Sequence, residues 1–162
     1  MVFLRSPIST DLEKIKIAYQ NSQFFHQPWV YPPIDFDQYL EQEHRYLLCL
    51  KNTKEIVGAF HLSGIVRGAF QSCFLGYEVF YPYQQKGLMT LGMKKIIHLA
   101  FKELNLHRIE ANIQPDNIAS ITLVKKSGFT REGFSKAYLY IGNQGWKDHE
   151  RWAILNPDWE SV

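Results

Sequence analysis

The alternation of hydrophobic and polar positions along the chain predicts a sheet with helices inserted between its strands. Short runs rich in β-branched and aromatic residues predict seven strands, at Val2–Arg5, Arg45–Lys51, Glu55–Val66, Ala69–Phe80, Arg108–Gln114, Phe129–Ile141 and Trp146–Leu155. Apolar residues at near-helical spacing predict four helices, one after Ser9-Thr10-Asp11, one over Asp35–His44, one opening at Gly87 and one over Ile118–Ser127. The predicted order is therefore βααβββαβαββ.

The stretch Tyr81–Phe101 is the centre of this arrangement. A predicted strand leads into a polar, basic loop, and Gly87 stands where the next helix begins. A helix start presents unpaired backbone N–H groups and the positive end of the helix dipole, which together favour a phosphate group. Further donors are available at Gln84, Gln85, Lys86 and Thr90. The alternative interpretation is an ordinary glycine turn, and the loop alone does not separate the two.

Composition and charge narrow the possible functions. The 162 residues, with 46% hydrophobic and 21% charged positions, suit a single domain over residues 1–162. A net charge of +2 is too small to indicate a nucleic-acid partner. Signal peptides and apolar runs of membrane-spanning length are absent, so we expect a cytoplasmic protein with reduced thiols and no membrane contact. The histidines lack metal-ligand spacing, and no metal site is expected.

An aromatic segment between the first two predicted helices is a candidate for a substrate-binding site. His26–Pro33 contains three prolines and cannot form regular structure throughout. Because rigid aromatic loops often line binding sites, we expect His26, Trp29 and Tyr31 to contact a substrate. The alternative is that these aromatic side chains cap the core.

Three motifs on this frame point to one family. The loop Gln84-Gln85-Lys86-Gly87-Leu88-Met89 is similar to the pattern Q/R-x-x-G-x-G/A, and Asp116–Ser120 followed by Lys126–Phe129 resembles an N-x-A-S…GF element. Both patterns are those of the GNAT N-acetyltransferases. The tail Gly145-Trp146-Lys147-Asp148-His149, with Pro157-Asp158-Trp159, resembles their RimJ/RimL-like branch, the ribosomal-protein-alanine N-acetyltransferases.

The resemblance implies a single α+β domain with a mixed, largely antiparallel sheet and helices on both faces. Two parallel strands, ending near Phe80 and Gln114, would splay apart to receive acetyl-CoA as co-substrate. Contacts to acetyl-CoA are then expected from Phe80, Gln84, Gln85, Lys86, Gly87, Leu88, Met89, Thr90, Asn117 and Ser120. Met89 stands where the family usually has a small residue.

The resemblance also suggests catalytic roles. A carboxylate is needed to take a proton from the acceptor amine, and Glu110 matches the position of a proposed general base. Glu78, on the other splayed strand, is the rival candidate. A tyrosine that protonates the departing thiolate in many relatives is replaced by Val124, whereas Ser120 occupies the position used in the RimL-like branch. A strand backbone N–H near Phe80 or Val79 is the expected oxyanion donor.

Three functions remain open from the sequence. The leading hypothesis is acetyl transfer to the N-terminal α-amine of a protein, expected to be a ribosomal protein, by direct attack in a ternary complex. An α-amine has a pKa of about 7.7–8.0 against about 10.4 for lysine, which suits a site with only one or two carboxylates. The alternatives are an acetyltransferase for an antibiotic or polyamine, and a non-catalytic CoA-binding module that docks on ribosomes. The chain is expected to be a monomer or a homodimer.

Overall fold

The computed structural model describes all 162 residues, and its elements follow the predicted order. The strands are β1 (Val2–Arg5), β2 (Arg45–Leu50), β3 (Ile56–Val66), β4 (Ser72–Val79), β5 (Arg108–Ile113), β6 (Thr130–Ile141) and β7 (Gly145–Leu155). The helices are α1 (Leu12–His26), α2 (Phe36–Glu41), α3 (Leu88–His98) and α4 (Ile118–Lys126). A 3-10 turn at Ser9–Asp11 precedes α1, and a π-helical turn at Leu99–Glu103 extends α3.

The seven strands form one sheet in the order β1-β2-β3-β4-β5-β7-β6. Only β4 and β5 are parallel, because α3 carries the chain back across the sheet between them. Their pairing covers Ser72–Phe74 and Arg108–Glu110, although β4 continues to Val79 and β5 to Ile113. The two strands therefore separate towards their C-terminal ends, and the predicted fold with its splayed pair is confirmed.

Helices cover both faces of the sheet, and strand β2 shows how the sequence assigns each face. Leu48 joins a large hydrophobic cluster under α3 and α4, whereas its neighbours Leu47 and Cys49 join a smaller cluster under α1 and α2. This follows from the two-residue period of a strand. We call the two sides the α3/α4 face and the α1/α2 face. On the α1/α2 face the sheet is only partly covered, and Phe74 and Gly76 of β4 are exposed.

Two element boundaries differ from the prediction. The second helix ends at Glu41 rather than His44, and Asp35 caps its start by accepting hydrogen bonds from two backbone N–H groups at 3.0 and 3.1 Å. The strand predicted from Ala69 begins only at Ser72, because Gly68 and Gln71 take left-handed backbone conformations in the preceding turn. None of the helices combines the length and apolar character that a membrane span requires.

Candidate active site

A cavity of about 240 Å³ lies where β4 and β5 separate. Its walls come from the C-terminal halves of both strands, from the start of α4 and from the loop after α1. Tyr77 of β4 packs with the core of the α3/α4 face, whereas the next residue, Glu78, meets Tyr19 of α1. Because both residues line the cavity, it connects the two faces of the sheet through the gap between the strands.

Glu78 stands on the α1/α2 side of this cavity. The hydroxyl of Tyr19 donates a hydrogen bond to its carboxylate. Burial raises the pKa of Glu78 above its ordinary value of 4.5, and the hydrogen bond from Tyr19 opposes that rise. A carboxylate with a raised pKa accepts a proton more readily near neutral pH. Glu78 therefore has both the position and the basicity of a general base.

Glu110, the base favoured by the sequence, is not among the residues that line the cavity. Its carboxylate accepts a hydrogen bond from Nε of Arg108 at 2.8 Å, and Arg108 also binds Glu132. The geometry thus favours Glu78 over Glu110 for proton transfer.

Two hydroxyl groups meet on the α3/α4 side of the cavity. The hydroxyl oxygens of Tyr77 and Ser120 lie 2.6 Å apart. Burial raises the pKa of Tyr77 to about 12, so its phenol stays protonated at neutral pH. Tyr77 was not predicted from the sequence, because the resemblance places the family's tyrosine on α4. This chain has the fully buried Val124 at that position. The two-residue period of β4, which turns Tyr77 away from Glu78, was the available signal.

The backbone at the end of β4 offers one hydrogen-bond donor to the gap. Phe80, which is predicted to contact acetyl-CoA, does not line the cavity: its N–H donates to the carbonyl of Val57 at 2.9 Å, and its side chain is buried under α1. Because successive N–H groups point to opposite sides of a strand, that of Val79 points towards the separated β5. The Nε2–H of His26 donates to the carbonyl of Val79 at 2.6 Å and holds this peptide in place.

Only one of the three residues predicted to contact a substrate lines the cavity. His26 is the last residue of α1 rather than part of the loop, and it is buried against β4 and does not line the cavity. Trp29 lines the cavity, as predicted for a substrate contact. Tyr31 lies against Gly142 in the hairpin between β6 and β7, and its hydroxyl donates to Asn143 at 3.3 Å. The loop therefore bridges α1 and this hairpin, with Trp29 facing the cavity.

The loop before α3 has the backbone of an anion site. Gly87 begins α3 with a φ of 73°, and no atom lies within 4 Å of the point where its Cβ would stand. Gln85 is also left-handed, with a φ of 60°. Lys86 is exposed and Thr90 is half-buried in the first turn of α3. The first N–H groups of this eleven-residue helix have no partner inside the helix.

Three further predicted contacts have distinct environments. Leu88 is buried in the core, so only its backbone can contact a ligand. The sulfur of Met89 lies against Gly58 of β3, 2.9 Å from the point where a Cβ would stand, and this glycine makes room for the larger side chain. Asn117 caps α4 by accepting a hydrogen bond from the N–H of Ser120 at 3.4 Å, and it also lines the cavity.

Four buried side-chain polar atoms lack a hydrogen-bond partner, namely Oη of Tyr39, Oε1 of Gln84, Oδ1 of Asn112 and Nε of Arg151. Such atoms are rare in folded proteins and usually bind a water molecule or a ligand. Asn112 lines the cavity, and Gln84 belongs to the loop before α3. Two of the four unpaired groups thus fall at the candidate site, one in the cavity and one in the loop before α3, as expected for a site with bound partners.

Residues 2–130 match the family model described as the acetyltransferase (GNAT) domain. The chain belongs to the GNAT family. It is 38% identical to the probable N-acetyltransferase YjcK of Bacillus subtilis, over 73% of this chain and 65% of that protein. It is 42% identical to the [ribosomal protein uS5]-alanine N-acetyltransferase of Escherichia coli, over 65% of this chain and 54% of that protein. The chain thus spans about half to two thirds of the length of these curated relatives.

Solved structures extend the comparison over the whole GNAT domain. The ribosomal-protein-S5-alanine acetyltransferase from Vibrio fischeri is 31% identical, with a TM-score of 0.87 over 99% of this chain and 96% of that one. Spermidine N-acetyltransferase from Vibrio cholerae, in complex with CoA and spermine, shares the fold at 23% identity and a TM-score of 0.78, over 95% of each chain. The predicted resemblance to the RimJ/RimL-like branch of the GNAT family is confirmed.

The two faces of this GNAT domain carry complementary chemistry. GNAT acetyltransferases use acetyl-CoA, and the open space at Gly87 together with the free N–H groups of α3 fits its diphosphate. The buried carboxylate of Glu78 stands on the α1/α2 face, and the paired hydroxyl groups of Tyr77 and Ser120 stand on the α3/α4 face. The gap between β4 and β5 joins them. No group of three His, Cys, Asp or Glu residues is placed to hold a metal ion.

Proposed function

We propose that this protein transfers an acetyl group from acetyl-CoA to the N-terminal α-amine of another protein, by direct attack in a ternary complex. One observation carries the proposal: the cavity between β4 and β5 has a base on one face and paired hydroxyl donors on the other. The named activities of the relatives from Escherichia coli and Vibrio fischeri support a protein α-amine, with a ribosomal protein as the acceptor.

Acetyl-CoA supplies the acetyl group as a thioester. We place its diphosphate against the N–H groups of Gly87, Met89 and Thr90, where the dipole of α3 favours negative charge. The side chain of Asn117, which lines the cavity, is suitably placed for the linear arm that leads to the sulfur. This placement brings the thioester into the gap between the strands.

The chain's own residues then move two protons. Glu78 accepts a proton from the acceptor ammonium and leaves a neutral amine that can attack. The N–H of Val79 donates to the carbonyl oxygen as negative charge develops there. Ser120 gives its proton to the departing sulfur, while the phenol of Tyr77 donates a hydrogen bond to the serine oxygen. The second proton, which the attacking nitrogen loses as the amide forms, returns to the serine oxygen through solvent. The two hydroxyl groups thus act together on the side where the thiol leaves.

The proton affinity of the acceptor favours an α-amine over a lysine side chain. At pH 7.4 roughly a quarter of α-amines are already neutral, compared with about one lysine in a thousand. The cavity holds a single carboxylate, Glu78, to remove the remaining proton. Such a site needs an acceptor whose amine is close to neutral before it binds.

A panel of acceptors tests the proposed function, with release of free CoA thiol as the readout. Peptides beginning with Ala or Ser and lacking lysine should react, whereas the same peptides blocked at the N-terminus but carrying a lysine should not. Glu78→Gln should lower kcat by about two to four orders of magnitude, as expected for a lost general base. Glu110→Gln is the matched control and should keep most of the activity. Reaction with spermidine or aminoglycosides alone would refute the protein substrate.

A further inference from the structure

The α1/α2 face beside Glu78 is an open groove rather than a covered core. Phe74 of β4 pairs with Glu110 of β5. If this register is continued by two residues along both strands, Gly76 stands level with Asn112. Gly76 is exposed, and no atom lies within 4 Å of the point where its Cβ would stand. At Gly76 the surface of the sheet beside Glu78 is therefore bare backbone.

Two unpaired polar groups border this groove on the side away from β4. Asn112 and Arg151 are direct cross-strand partners on β5 and β7, so their Cβ atoms lie about 4.5–5.5 Å apart on the same face. The Oδ1 atom of Asn112 and the Nε atom of Arg151 are buried and have no hydrogen-bond partner. The nearby arginines differ, because Arg108 and Arg131 are both paired with carboxylates.

The position of the Arg151 side chain is set by the neighbouring strand. Its guanidinium lies directly over Gly133 of β6, where any Cβ would collide with it. A glycine at this place lets the guanidinium lie flat on the sheet while its donors stay unused. A free guanidinium in a half-buried position is a donor for carbonyl or carboxylate oxygens and repels a second cation.

We propose that the first residues of the acceptor protein lie extended across this groove, from Glu78 over Gly76 and Asn112 towards Arg151. This inference rests on the proposed function, since it assumes a polypeptide acceptor. Asn112 accepts a hydrogen bond from an N–H of the first residue, and Arg151 donates to a backbone carbonyl two or three residues further on. The path crosses two strand spacings, each about 4.8 Å between paired strands and wider where β4 and β5 separate, so at about 3.3 Å per residue an extended chain needs at least three residues to span it.

The groove explains how an enzyme with this fold can discriminate between peptide and polyamine acceptors. A peptide presents carbonyl oxygens along its length, and each is a partner for the unused donors of Arg151. A polyamine presents further ammonium groups, which the guanidinium repels and which Asn112 alone cannot hold. Arg151 is therefore assigned as a specificity-determining residue, whereas Glu78 serves any amine that reaches the gap.

A peptide-length series tests the assignment. We use alaninamide, Ala-Ala-amide and an Ala tetrapeptide amide, and compare kcat/KM for wild type, Arg151→Gln and Arg131→Gln. Wild type should prefer the tetrapeptide over alaninamide by about tenfold to a hundredfold, the range for a hydrogen bond to a charged group. Arg151→Gln should lose this preference and keep its rate with alaninamide. Arg131→Gln removes the same charge from an arginine paired on the other face and should behave as wild type.

Two further variants keep the test independent of the arginine. Gly76→Val fills the groove from a position where a Cβ meets no atom within 4 Å, so it should lower kcat/KM for the tetrapeptide at least tenfold and leave the affinity for acetyl-CoA unchanged. Asn112→Leu should lower kcat/KM for all three acceptors. If wild type acetylates peptides but shows no length preference, or if Arg151→Gln keeps it, the groove is refuted and the proposed function stands. If no peptide reacts, the proposed function itself fails.

Discussion

A substitution at Gly87 tests the anion site most directly, because the chain contains a matched control. Gly87 and Gly68 have similar left-handed backbones, with φ of 73° and 66°, and neither has an atom within 4 Å of its Cβ position. Replacing either by Asp adds the same side chain, the same charge and the same backbone strain. Only Gly87 lies at the start of α3, whereas Gly68 lies in the turn before β4.

The structure sets the size of each expected effect. The left-handed backbone costs a non-glycine residue about 1–2 kcal/mol, which corresponds to a melting temperature lower by roughly 2–8 °C for a domain of this size. Both variants should show this loss. At Gly87 the new carboxylate would also repel the proposed diphosphate, and two unit charges about 5 Å apart repel by about 3 kcal/mol at an effective dielectric constant of about 20. The affinity for acetyl-CoA should therefore fall by at least about a hundredfold.

Two assays measure these effects separately. Thermal unfolding without ligand gives the cost of strain, and calorimetric titration with acetyl-CoA gives the dissociation constant. At a ligand concentration of about 100 Kd, wild type and Gly68→Asp should both gain about 2.7 kcal/mol of stability, and Gly87→Asp should gain almost none. Binding of acetyl-CoA to Gly87→Asp with the affinity of Gly68→Asp would refute the site. Equal losses of affinity in both variants would show a global effect of the strain.

Three further predictions concern the proton donors, the proton acceptor and the core. Tyr19→Phe removes a hydrogen bond that lowers the pKa of Glu78, so the acidic limb of the kcat/KM profile should move to higher pH; an unmoved limb would argue against Glu78 as the base. Tyr77→Phe and Ser120→Ala should each lower kcat at unchanged acetyl-CoA affinity. The kcat of the double variant should be no lower than that of the slower single variant, whereas additive losses would mean independent roles. Gly92→Ala would bring a methyl group to 2.7 Å from Phe60 and should cost about 1–3 kcal/mol in thermal unfolding, unless the ring moves away.

The order of the elements and the anion loop could be predicted because their signals are local. Strand and helix periods repeat within a few residues, and the start of α3 is marked by Gly87 itself. The position of Ser120 beside Asn117 is likewise a feature of one helix turn. Such signals can be recognised in a single sequence because each depends only on residues that are close together along the chain.

The preference for Glu78 over Glu110 as the proposed base rests on tertiary structure alone. Both carboxylates lie on the two strands that separate, and nothing in their local sequence shows which one meets the gap. The pairing of Glu110 with Arg108 and the contact of Glu78 with Tyr19 each depend on how the strands and α1 are placed. Tyr19 and Glu78 are 59 residues apart in the chain, beyond the reach of any periodic pattern.

The sequence by itself therefore determined which elements this protein forms, in which order they follow, and where a helix start can receive an anion. Only the tertiary structure brought Tyr77 to Ser120, buried His26 behind the backbone of Val79, and left Arg151 without a partner beside Asn112. The physical reason is the range of the interactions. Secondary structure follows from hydrogen bonds and burial between near neighbours, whereas a site between two separated strands exists only once distant segments have packed and fixed which polar groups stay unpaired.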